Sequence, residues 1–142
     1  MRRTVSEASR AFDYVIVQAV PRVDRDERIN LGVILFCPAA AFLGCRLARN
    51  DARLWAIDRT LDAAAVARQM HAIQAVCSGA SDAGPIARLS ASERFHWLSA
   101  TRSTVVQPSA AHVGLCVDPA LALEALFNSA VELDLPARPQ GD

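Results

Sequence analysis

Two short runs carry the residues best suited to chemistry. The first is Arg25, Glu27 and Asn30, within the segment Arg25-Asp-Glu-Arg-Ile-Asn-Leu-Gly32. The Glu27 carboxylate can act as a general base, or can orient Arg25 through a two-point ion pair. Asn30 heads an otherwise apolar run, so its amide must find partners for both donor and acceptor. The second run holds Arg102, Ser103, Thr104, Gln107, Ser109 and His112. An arginine followed by two hydroxyls at a helix-to-strand junction can hold a phosphate or a carboxylate. Each run also has a structural reading. The first would knit a turn to a sheet, and the second would cap a junction through side-chain to backbone bonds. If the strand near Gln107 lies beside the first or second strand, Gln107 and Arg102 approach Glu27 and Asn30. Together with Ser103 and His112 they would then form one site for an anionic ligand or a partner surface.

Other chemistries are narrowed by composition. All fifteen basic residues are arginine, and lysine is absent. That removes a phosphate-loop lysine, a Schiff base to a carbonyl or pyridoxal group, and a kinase-type strand lysine. No glycine-rich phosphate loop, dinucleotide fingerprint or nucleophile elbow occurs, and no residue is assigned as catalytic. Cys37, Cys45, Cys77 and Cys116 contain no C-x-x-C spacing and read as reduced, mostly buried thiols. His112 and Cys116 stand four apart, but no second close pair completes a structural zinc set, so no metal is expected. No cofactor is expected either. The fifteen acids balance the fifteen bases, and Arg22, Arg25 and Arg28 are interleaved with Asp24, Asp26 and Glu27. This argues against a nucleic-acid partner. The first ten residues lack an apolar leader core and Tyr14 to Val20 is too short to span a bilayer, which points to a cytoplasmic protein with no membrane partner.

The elements that must position these residues can be read in order. Residues 12–20 are β-branched and aromatic and are closed by Pro21, which predicts a strand. Residues 29–37 are apolar on both sides, as in a strand covered on both faces. Simple alternation puts Ile29, Leu31, Val33 and Leu35 on one face, and Asn30 with Gly32 on the other. Residues 42–48 make a third strand, so an antiparallel meander is expected, with Cys37 near Ala41 or Phe42 and Cys45 near Ile34. The remainder changes to helical period. Thr60 or Asp62 can cap a helix whose buried face carries Val66, Met70, Ile73 and Cys77, ended by Gly79. Ser90 and Glu93 form a capping box. A fourth short strand is expected at 104–107. Asp118 and Pro119 open a last helix that buries Leu123, Leu126, Phe127, Ala130 and Val131. The predicted fold is α+β: an antiparallel sheet of about four strands, with helices packed mainly on one face. A single domain is expected over 12–133, with flexible segments at 1–11 and 134–142.

Two stretches taken together resemble a known family. One is Tyr14-Val-Ile-Val-Gln-Ala-Val-Pro21, then Glu27-Arg-Ile-Asn30-Leu-Gly32. The other is Glu93-Arg-Phe95-His-Trp97-Leu, then Arg102-Ser-Thr-Val-Val-Gln107-Pro-Ser109 and His112-Val-Gly114. They resemble the bacterial DUF3037 family, a domain of unknown function, over about Phe12 to Val131. Gln18 departs from the family pattern, standing where an arginine is expected in many relatives. The resemblance implies no activity. It implies a neighbourhood, since such domains are often encoded beside a protein resembling the HipA-type kinases, and hence a protein partner. The expected function is a non-catalytic interaction or accessory module. The alternative is a small enzyme or ligand-binding domain with an Arg/Glu/Asn/Gln pocket for an anionic small molecule.

Overall fold

The computed structural model describes residues 9–21, 23–48, 51–102 and 104–131. Most of the expected end segments, together with Arg22 and Ser103, lie outside the described residues. Residues 10 and 11 already belong to the first strand.

Among the described residues, five strands form one antiparallel sheet: β1 (Arg10–Ala19), β2 (Ile29–Cys37), β3 (Phe42–Leu47), β4 (Val106–Pro108) and β5 (His112–Cys116). The lateral order is β3-β2-β1-β4, with β5 also paired to β1. β4 runs beside Val17–Ala19 and β5 beside Arg10–Tyr14, so the two are halves of one interrupted lane. The about four strands expected are thus four lanes, the last of them split. Ser109 bridges the split. Its backbone N–H donates to the Ile16 carbonyl at 2.8 Å, and its hydroxyl accepts from the Ile16 N–H at 2.9 Å. The side chain here replaces a missing ladder bond, which buried backbone groups require.

Four α-helices follow the meander among the described residues: α1 (Asp51–Ile57), α2 (Ala63–Ser78), α3 (Ala91–Leu98) and α4 (Pro119–Ala130). Asp62 caps α2 by accepting from Ala64 and Ala65 N–H. Gly79 ends α2 at φ 70°, the left-handed conformation that glycine adopts without a Cβ penalty. Ser90 and Glu93 make the expected reciprocal capping box on α3. Arg94 then donates to the Val76 and Cys77 carbonyls at 3.0 and 2.7 Å, placing a cation on the C-terminal end of α2.

The sheet is buried on both sides. Val15, Val17, Ala19, Leu31 and Ile34 pack with Leu54 of α1, with Val66, Met70 and Ile73 of α2 and with Phe95 and Leu98 of α3. On the opposite face Phe12, Val33, Leu35 and Cys37 pack with Leu123, Phe127 and Val131. Three helices therefore share one face, as expected, while α4 covers the other.

A β-bulge explains how one strand serves both cores. Val17 pairs with Gly32 but Gln18 pairs with Asn30, so Leu31 has no partner across β1. Two consecutive residues then point the same way and the alternation reverses beyond them. Ile29 and Leu31 face the α1–α3 side, whereas Val33 and Leu35 face α4. The uniform alternation read from sequence is thus corrected. Asn30 and Gly32 stand on opposite faces, and Gly32 lies against β3 rather than opening space beside Asn30. The rest of the register agrees with expectation: Cys37 pairs with Phe42 and Cys45 with Ile34. Among the described residues no helix is long and apolar enough to cross a membrane.

Candidate functional site

The connector between β1 and β2 presents the first polar run. A short 3-10 turn over Val23–Arg25 leads into Asp26, whose φ of 55° reverses the chain. Aspartate tolerates that left-handed conformation better than most residues. Arg25 Nε lies 3.1 Å from Glu27 Oε1, an oxygen that is shielded from solvent although the rest of the side chain is partly exposed. Arg28 pairs with Asp26 at 3.0 Å. These are neighbouring charges at the surface, each pair worth about 0.2–1 kcal/mol.

Asn30 sits deeper. Its Nδ2 donates to the Ala130 carbonyl at 3.1 Å, and its Oδ1 accepts from Gln18 Nε2 at 3.0 Å. The amide thus ties β2 to β1 and to the last turn of α4. Gln18 is at the same time the cross-strand partner of Gln107 on β4. Asn30, Gln18 and Gln107 form a row of amides across three strands. Gln107 Nε2 turns back to the Thr104 carbonyl at 2.8 Å. The row joins part of the two polar runs, and Gln18, which sequence reasoning had not counted, is its centre. Only the strand order could have revealed it. Asn30→Ala is expected to cost about 1–2 kcal/mol, because the Ala130 carbonyl loses a partly buried donor. Urea denaturation with an unchanged m-value is the measurement.

The other residues of the second run lie elsewhere. Arg102 belongs to the α2–α3 side of the sheet. Its guanidinium stands 4.5 Å from the centroid of the Trp97 indole, and its Nη2 donates to the Trp97 carbonyl at 2.7 Å. Burial lowers its pKa from the ordinary arginine value. His112 opens β5, where its ring lies 5.2 Å from that of Tyr14. Asn30 reaches α4 on one face, Arg102 reaches α3 on the other, and His112 is on the edge lane. Ser103 is outside the described residues. Asn30, Arg102 and His112 are consequently not gathered into one pocket.

Two features were not read from the sequence. The first is thiol pairing. The Cys45 thiol on β3 raises the pKa of Cys77 on α2, which burial raises further, and Cys77 in turn lowers that of Cys45. Burial raises Cys116, with the neighbouring Cys37 contributing. All four thiols are free. Each pair joins an early strand to a later element, which spacing alone does not disclose. The second feature is the outward face of β5. Val113 is 78% exposed and Leu115 73% exposed, while Gly114 between them is pressed against the Phe12 ring. Among the described residues β5 pairs only with β1, so its other edge is open.

No curated protein and no solved structure matches the chain. A family model described as "Protein of unknown function (DUF3037)" matches residues 14–131, from the middle of β1 through α4, with the bulge and the amide row inside it. The chain belongs to the DUF3037 family.

Proposed function

We propose that this domain is a non-catalytic interaction module acting in the cytoplasm, and that it docks a partner protein on the β5 edge. The observation that supports this most is the exposure of Val113 and Leu115 on a strand whose outer edge is unpaired among the described residues. An open edge offers a row of backbone donors and acceptors to an extended segment of another chain. The two apolar side chains, i and i+2 on one face, would give such a segment its side-chain contacts. The occupant that fits is a strand with apolar residues at alternate positions, which would extend the sheet by one lane. A protein resembling the HipA-type kinases, the neighbour implied by the family resemblance, is the first partner to test.

The experiment is titration of the purified domain with that kinase-like protein, followed by calorimetry and light scattering. Binding should be lost by at least ten-fold in the Val113→Glu/Leu115→Glu variant, whose exposed positions leave the core intact. Undiminished binding by that variant, or no binding by the parent domain, overturns the proposal for this partner. Self-association abolished by the same substitutions would instead assign the edge to a second copy of this chain.

A further inference from the structure

A second surface lies on the side of the sheet where Arg102 was found. A cavity of about 330 Å³ is lined by Gln69, Ala72 and Ile73 of α2, by Trp97 of α3, and by Arg102, Thr104 and Val106. That volume is at the lower end of the range for small-molecule sites, which are characteristically apolar with a few placed polar groups. The wall here follows that pattern: Ala72, Ile73, Val106 and the indole supply apolar surface.

The polar groups are mostly donors. Gln69 Oε1 accepts from the Val106 N–H at 3.1 Å, which fixes the orientation of the amide and leaves Nε2 as its free end to donate. The Arg102 guanidinium lies over the Trp97 ring and is anchored by one bond to the Trp97 carbonyl, so its planar fork is oriented before any ligand arrives. A half-buried guanidinium that has lost part of its hydration gains more from an anion than one in open water. His71, His96, Asp82 and Glu93 do not line this cavity; they line depressions on the other sides of Trp97.

We propose that the Trp97–Arg102 cavity binds a small carboxylate with an apolar body, an aryl or branched-chain acid. The carboxylate meets the Arg102 fork and Gln69 Nε2, and the body lies against Ile73, Val106 and Trp97. Free phosphate or sulfate fits less well, because a doubly charged oxyanion would meet one cation and an apolar wall. The proposal stands apart from the β5 edge, on different residues and at the β4 half of the split lane.

Phenylacetate is the probe, with 2-phenylethanol, 2-phenylethylamine and inorganic phosphate as matched arms. The readout is the indole N–H of Trp97 in proton–nitrogen correlation spectra, assigned by a Trp55→Phe variant that removes the other indole. Phenylacetate should shift this resonance saturably. The neutral alcohol should bind at least ten-fold more weakly, and the amine and phosphate should leave the resonance in place. Arg102→Gln should weaken phenylacetate at least ten-fold. Ala72→Glu, at an exposed helix position on the cavity rim, should abolish binding while the thermal transition is kept. Equal shifts from acid and alcohol, a response that survives Arg102→Gln, a saturable response to phosphate, or no saturable response to phenylacetate would each overturn the proposal. None of these outcomes bears on partner capture at β5.

Discussion

Phe127→Ala is expected to destabilise the domain by about 3–5 kcal/mol, the largest single-residue loss in this fold. Phe127 is 2% exposed and sits in the cluster built from Phe12, Val33, Leu35, Cys37, Leu123 and Val131. Its ring also lies 4.4 Å from the Arg46 guanidinium, which is paired with Glu124 at 2.8 Å. Truncation removes the apolar transfer energy and leaves a void that the rigid sheet beneath cannot collapse into. α4 is the helix that covers this face, so the void undermines the whole layer. Against a total stability of about 5–15 kcal/mol, the loss is a large share. Urea denaturation followed by circular dichroism checks it. A loss under about 1 kcal/mol would mean that α4 does not carry this face.

Gly32→Ala is expected to cost about 3 kcal/mol, for the opposite reason. A Cβ at Gly32 would strike Leu47 Cδ2 and lie 2.5 Å from the Arg46 carbonyl oxygen and 3.0 Å from Leu47 Cα. The last two are backbone atoms of the neighbouring strand and cannot rotate aside. Relief requires β3 to move away from β2, or the bulge to re-register and turn Val33 and Leu35 to the wrong face. Gly44→Ala is the control. Its new methyl would meet the Phe42 ring at 2.8 Å and Leu123 Cδ2 at 3.3 Å, both side-chain atoms that can shift. Its cost should be about 1 kcal/mol, and the same denaturation experiment compares the two.

Much of the architecture was legible because the residues obey local rules. β2 was read at its observed limits from a run that is apolar apart from Asn30. The capping residues Asp62, Ser90 and Asp118 and the Gly79 stop were legible because each satisfies helix-end backbone groups by local chemistry. The bulge was not, since nothing in Asn30-Leu31-Gly32 distinguishes a regular pleat from one extra residue. β5 was hidden by an inversion. Its apolar residues Val113 and Leu115 face outward, while Gly114 and Cys116 face inward, so alternation gave no sign of a covered strand. α1 is only seven residues long and buries Leu54, too little for a helical period to emerge. Of the candidate site, Asn30 was legible as an amide needing partners. Its ties to Gln18 and to Ala130, one hundred residues away, depend on strand order and helix placement.

The two-sided burial of β2 also orders events in time. Ribosomes deliver a chain from its N-terminus, and Pro119–Ala130 follows Cys37 by about eighty residues. At roughly 5–20 residues per second, the face carrying Val33, Leu35 and Cys37 waits about 4–16 seconds for its cover. α1, α2 and α3 can dock on the other face during that interval, leaving a half-finished sheet with one sticky side. A nascent chain stalled before Asp118 should therefore engage chaperones that capture apolar surface, and release from them should coincide with the emergence of α4.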